Sequence, residues 1–270
     1  MSSVLQRQGG PVMSPTETSF DLPRLRERVA PFRVYYYPRL RSTNDQAAEL
    51  RRRGKLFAPA LVLTSNQTAG RGRGANTWWS RRGSLTVTFV LAADERIKPH
   101  QLPLLAGLAV RNAAAELTED PGIQLKWPND VTYDGKKLAG LLCERILNAD
   151  LVGVGVNVNV DPSDAPGVLR DRISSLAHIR GGPLDLTGAL AVVAAHLRLT
   201  LSRAADGPFA PLLREYDVHH ALLGREVIVT TSADEPPAQG RCEGLDSIGR
   251  LLLRSRGRLR QIIAGQVQVR

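Results

Sequence analysis

The chain has 270 residues, 43% hydrophobic and 23% charged, and its 36 Lys plus Arg against 26 Asp plus Glu give a formal net charge of +10. That length admits one large domain or two smaller ones, and the composition excludes fibrous and wholly disordered classes. Apolar runs such as 102–110 and 188–197 fall short of the roughly 18 to 20 residues a bilayer requires; with no signal-like opening and no disulfide framework from Cys143 and Cys242, a reducing cytoplasm is the expected location. The cations are 31 Arg and only 5 Lys. The basic total favours anionic partners, nucleic acid among them, although an Arg-rich coding background gives the same total. Lys126 and the other four lysines are more informative, since they mark places where a compact amine is retained.

Residues 1–30 read as a flexible leader, rich in Ser, Pro, Gly and Gln at their start. Residues 34–37 predict a short strand, and Ser42 or Thr43 an N-cap with Gln46 at boxing distance, opening a short helix that Arg51-Arg52-Arg53-Gly54 ends. Residues 60–64 form an apolar strand, and alternating Leu85, Val87, Phe89 and Leu91 a second, so 65–83 is an unusually long loop. Helical spacing of Leu102, Leu105, Leu108, Ala109, Ala113 and Leu117 predicts an amphipathic helix after Pro99. Strands follow at 123–127, 131–133, 137–146 and 151–158, the middle two joined by Asp134-Gly135, which favours a mixed or antiparallel sheet. Helices are expected at 186–201 and 208–216. Beyond Leu223, short strands between Gly and Pro turns predict a small β-barrel. The domains are thus expected at 31–221 and 222–270.

Three segments carry chemistry. The long loop holds Gln67 and Gly70-Arg71-Gly72-Arg73-Gly74 ahead of Trp78 and Trp79. Glycines allow close backbone approach and guanidinium forks match phosphate oxygens, so a polyphosphate clamp is one reading. An Arg-Gly-Trp segment that stacks RNA bases and a simple mobile loop are the others. Lys126-Trp127-Pro128-Asn129-Asp130 lies between a strand and a hairpin. Lys126 is either an edge-strand lysine or a cation that neutralises charge developing at phosphorus. Gly153-Val-Gly155-Val-Asn157 sets glycines into a strand, which suits a ligand lying on the sheet or a closely packed helix. The five histidines show no metal-ligand or triad spacing, and no metal cage is expected.

In this order, these segments resemble the biotin protein ligase family. The matching positions are Ser42-Thr43-Asn44, Gln67, Gly70 to Gly74, Trp78, Lys126 to Asp130, Lys137-Leu138-Ala139-Gly140 and Gly153 to Asn157. The resemblance covers 34–216 as a catalytic domain and 223–270 as a small C-terminal one. It implies an α+β fold: a mixed β-sheet with flanking helices, class II synthetase-like and shared with lipoate ligases, plus an SH3-like barrel. It further implies a biotin carboxyl carrier protein ligase, in which ATP and biotin give biotinyl-AMP and a lysine of the carrier protein of acetyl-CoA carboxylase, or of another biotin-dependent carboxylase, takes the biotin. Ser42, Thr43, Asn44 and Gln67 are then expected near the biotin ring, Arg71, Gly72 and Arg73 in the loop over biotin and adenylate, and Lys126 at the carboxylate and α-phosphate. Trp78 would lie by the adenine, while Asn129, Lys137 and Asn157 would hold nucleotide and Mg²⁺. Leu138, Ala139, Gly140, Gly153 and Gly155 would floor the biotin site. Bifunctional members carry an N-terminal DNA-binding domain that 30 leader-like residues do not supply, so no specific DNA binding is expected; neither is a membrane, and a homodimer is left open. An RNA-binding protein and a lipoate ligase are the alternatives.

Overall fold

The alternation of Leu85, Val87, Phe89 and Leu91 becomes an inner strand of a seven-stranded sheet in the computed structural model, which describes residues 19–232 and 235–270. In chain order the strands of the larger part are β1 (Arg33–Tyr37), β2 (Ala60–Thr64), β3 (Gly70–Arg71), β4 (Thr77–Trp78), β5 (Ser84–Ala92), β6 (Gln124–Lys126), β7 (Asp130–Tyr133), β8 (Lys136–Ile146) and β9 (Ala149–Asn157). The helices are α1 (Leu22–Arg28), α2 (Thr43–Arg52), α3 (Leu102–Thr118), α4 (Gly167–Arg170), α5 (Leu176–Arg180), α6 (Leu186–Asp206) and α7 (Ala210–Val218). The sheet runs β1-β2-β5-β9-β8-β7-β6 in space, with β3 and β4 as a separate ribbon inside the long loop. β1 and β2 pair parallel and the other neighbours antiparallel, giving the expected mixed sheet.

Its two faces have different fates. Leu61, Leu63, Leu85, Val87, Phe89, Val152, Val154 and Val156 pack with α1, α3 and α6 in the main core. Each such side chain contributes about 1.5–3 kcal/mol when fully buried, so stability resides on this face. On the other face, Ala60, Val62, Val90 and Leu151 meet Ala47 and Ala48 of α2. That helix covers one end only.

Part of the expected leader is structured. Residues 1–18 lie outside the described residues, but α1 carries an Asp21 N-cap that accepts from Arg24 N, and its Leu25 is fully buried. Asp21 N donates to Thr187 Oγ1 at 2.9 Å and Arg24 pairs with Asp185, the N-cap of α6. Seven residues with three arginines and a proline show too little periodicity for the helix to be read from sequence; a partner 161 or more positions away holds it.

The C-terminal strands are β10 (Glu226–Thr230), β11 (Ala238–Leu245), β12 (Leu251–Ser255), β13 (Arg258–Ile262) and β14 (Gln266–Val269), ordered β13-β12-β11-β10-β14 in one antiparallel sheet. Among the described residues, β13 and β14 are its two edges and do not pair, so hydrogen bonding does not close the expected barrel. The segment that leads from α7 into this sheet is tied to the strand bearing Lys126: Leu125 N donates to His219 O and Ala221 N to Leu125 O, both at 2.8 Å. The sheet's β11–β12 turn is gripped as well. Ile248 O receives Gln101 Nε2 at 3.3 Å, and Gly249 O receives the buried Trp127 Nε1 at 3.4 Å. Gly249 has φ +90, and a Cβ there would stand 2.5 Å from Leu104, so the close approach needs glycine.

Candidate functional site

Register alone assembles the site. Reading across the sheet, Lys126 is opposite Asp130, Asp130 opposite Gly140, Gly140 opposite Gly155, Gly155 opposite Thr86 and Thr86 opposite Thr64. Opposed residues share a face, and this is the face that α2 leaves open. Thr88, Gly153 and Leu142 form the adjoining row. Residues spread from Thr64 to Gly155 in the chain thereby make one floor, with three glycines, Gly140, Gly153 and Gly155, at its centre and a half-buried lysine at its edge. Lys126 Nζ has no ion pair among the described residues, so its charge is available.

The α2 N-terminus supplies one wall. Ser42 is the N-cap and its oxygen accepts from Asp45 N at 3.3 Å. Thr43 N donates to Gln67 Oε1 at 2.9 Å, Thr88 Oγ1 donates to Asn44 Oδ1 at 2.6 Å, and Asn44 Nδ2 donates to Leu142 O and Glu144 Oε2. Buried polar side chains of this kind hold one geometry because an unpaired one would cost about 1–3 kcal/mol.

The 65–83 loop supplies the other wall as the β3–β4 ribbon. Arg71 Nε lies 2.8 Å from Asp45 Oδ1, and its Nη2 donates to both Glu144 oxygens at 2.9 and 2.7 Å. Partial burial disfavours the charged form of Arg71, but hydrogen bonds and attraction from Glu144 and Asp45 outweigh this and hold its pKa above the ordinary value. Arg73 differs. It donates to Gly265 O at 2.9 Å, and burial lowers its pKa. Trp78 rests on the glycine floor: a Cβ at Gly155 would collide with its indole, and one at Gly140 would stand 3.4 Å from it. The indole Nε1 is buried without a partner. Lys137 Nζ sits 5.8 Å from the Trp78 ring centroid and 2.7 Å from Asp130 Oδ1, an ion pair whose alignment is not that of a hydrogen bond.

The sequence-predicted residues largely converge. Ser42, Thr43, Asn44, Gln67, Arg71, Gly72, Arg73, Trp78, Lys126, Asn129, Lys137, Gly140, Gly153, Gly155 and Asn157 line one cavity of about 990 Å³, at the upper end of small-ligand pockets. Leu138 and Ala139 do not line it; both are fully buried in the main core, Ala139 opposite Val131 and Val156 on the helix-covered face. Asn129 Nδ2 donates to Leu141 O at 2.7 Å and Asn157 Nδ2 to Ser174 O at 3.0 Å, so both amides also brace backbone. Sequence reasoning missed Asp45 and Glu144, the partners of Arg71. It also missed Thr86, whose polar alternation with Leu85 and Val87 marks the site face, and the C-terminal segments Thr230–Ser232 and Gly265–Gln268, which complete the wall.

The chain is 32% identical over 241 residues to biotin acetyl-CoA-carboxylase ligase of Paracoccus denitrificans, covering 84% of this chain and 96% of that protein. The chain belongs to the biotin protein ligase family. Its membership is supported by the description "Biotin/lipoate A/B protein ligase family" over residues 36–161 and "Biotin protein ligase C terminal domain" over 222–270. Another relative in the biotin protein ligase family, the bifunctional ligase/repressor BirA of Bacillus subtilis, is 30% identical over 247 residues, covering 87% of this chain and 74% of that protein. Among solved structures, biotin protein ligase from Aquifex aeolicus in complex with biotin and ATP matches with TM-score 0.79 and 29% identity, over 88% of this chain and 98% of that one.

Proposed function

We propose that this chain joins biotin to a lysine of a biotin carboxyl carrier protein in two steps. A biotin carboxylate oxygen attacks the α-phosphorus of ATP and pyrophosphate leaves; the carrier amine then attacks the acyl carbon of biotinyl-AMP, loses a proton and releases AMP. The observation that carries the reading is the placement of Lys126. Half-buried, without an acidic partner among the described residues, and in register with the Gly140–Gly155 floor, it is where a carboxylate and a phosphate that repel one another need a shared cation. Residues 31–221 would act as the catalytic domain and 222–270 as the SH3-like one.

In this reading Ser42, Thr43, Asn44 and Gln67 address the biotin ring, and the glycine floor takes its flat sides, with Leu138 and Ala139 acting from beneath. Trp78, Asn129, Lys137 and Asn157 serve the nucleotide, and Mg²⁺ arrives as the magnesium complex of ATP, which needs no protein cage. The loop of Arg71, Gly72 and Arg73 excludes water from the mixed anhydride. An RNA-binding role is less well supported, because Arg71 is paired with two carboxylates and Trp78 faces the sheet. The test is ATP–pyrophosphate exchange. The parent should exchange only with biotin, lipoate should not replace it, and Lys126→Ala should lower the rate by about 100-fold or more, as loss of one aligned charge stabiliser does. Biotin-independent exchange, or a Lys126→Ala rate equal to the parent's, contradicts the reading.

A further inference from the structure

Arg71 is the more thoroughly compensated of the two loop arginines. Its fork receives one carboxylate on Nε, from α2, and a second on Nη2, from β8, whereas Arg73 meets a backbone carbonyl. A guanidinium balanced by two carboxylates belongs to a group of net charge −1, and that group repels a triphosphate. What the arrangement does supply is fixed position: two struts from separate elements hold β3, the first strand of the loop. Glu144 also accepts from Asn44, whose Oδ1 accepts from Thr88 beside the glycine floor. The loop and the floor are therefore mechanically joined.

We propose that Asp45 and Glu144 are positioning residues that latch the 65–83 loop through Arg71, and that this latch governs how long the acyl-adenylate is kept from water. On this account Arg71 does not bind phosphate. The inference rests on the two-step reaction proposed above for its second half only, since the latch consists wholly of protein groups and can be probed with no ligand present.

The experiment uses the full chain with Asp45→Asn, Glu144→Gln and both together, amides that keep shape and remove charge. Partly exposed pairs are individually worth little, so each single variant should raise the rate of tryptic cleavage after Arg71 or Arg73 by about threefold and the double variant by about tenfold, while urea unfolding stays cooperative. Glu144→Asp, which keeps the charge, should restore part of the protection. With biotin and ATP, the fraction of biotinyl-AMP lost to hydrolysis should rise in parallel, while KM for ATP stays within about twofold. Unchanged cleavage in the double variant overturns the latch, as does a large change in KM for ATP without a change in cleavage, which would mean that the carboxylates restrain a phosphate-binding Arg71. If the parent shows no biotin-dependent chemistry, the proposed function fails while the cleavage series still decides the latch.

Discussion

A methyl group added at each floor glycine meets a different neighbour, and the costs separate accordingly. At Gly153 it would collide with Asn44 Oδ1 and stand 3.0 Å from Leu142 O, a backbone atom that cannot swing aside. Asn44 must then move, giving up its bond to Leu142 O, its bond to the charged Glu144 and the one from Thr88. A neutral hydrogen bond is worth about 0.5–1.5 kcal/mol and one to a charged group about 1.5–3, while the smaller backbone entropy of unfolded Ala returns about 0.4–1. Gly153→Ala should therefore lose about 1.5–5.5 kcal/mol. At Gly140 the neighbours are Lys137 Cε and Nζ at 3.0 and 3.1 Å, the free end of a flexible chain, and Gly140→Ala should stay within about 0.5 kcal/mol of the parent. At Gly155 the obstacle is the Trp78 indole, which can tilt away into the cavity; stability should fall by about 1 kcal/mol and biotin affinity by about tenfold, or ~1.4 kcal/mol. Urea unfolding and calorimetric biotin titration of the three variants measure both quantities. Gly153→Ala unfolding at the parent's urea midpoint would refute the assembly of the floor described above.

Two further outcomes follow from separate parts of the molecule. Burial pushes the Asp246 carboxylate up, but the amides of Arg250 and Ile248 and the Arg250 guanidinium outweigh it and hold its pKa below the ordinary value. The group's contribution is then fully present above the unfolded value of about 3.9 and is lost as pH falls through the lower folded value; Asp246→Asn should flatten the loss of stability below about pH 4, and an unaltered acid limb in urea midpoints against pH would contradict this. Trp78 rests on the floor assigned to biotin, so biotin titration should change tryptophan emission more in the parent than in Trp78→Phe, where Trp79 and Trp127 remain on the cavity wall; an equal change in both would show that biotin does not approach Trp78.

Strands and motifs were legible because their signals are local. Alternation at 85–91, the Asp134-Gly135 turn and glycines at 153 and 155 each state a backbone requirement within a few residues, and all appear where expected. Scarce lysine in an Arg-rich chain also singled out Lys126. Partners were not legible. Asp45 and Glu144 lie 26 and 73 positions from Arg71, and nothing in their neighbourhoods distinguishes them from solvated acids. The same distance hid α1, whose stability comes from α6, and the contribution of Gly265 to the wall near Arg73. Leu138 and Ala139 show the converse error: a motif that matches as a run was assigned to the floor as a run, whereas strand alternation sends Ala139 to the opposite face from Gly140.

The most direct measurement is covalent transfer itself: incubate the full chain with biotin, magnesium ATP and an apo biotin carboxyl carrier domain, and read the acceptor by intact mass and by mapping the modified residue. The account predicts one biotin on one carrier lysine, dependent on both ATP and biotin, absent with lipoate and sharply reduced by Lys126→Ala. An acceptor that stays unmodified by an enzyme that is folded and binds both small substrates would contradict it.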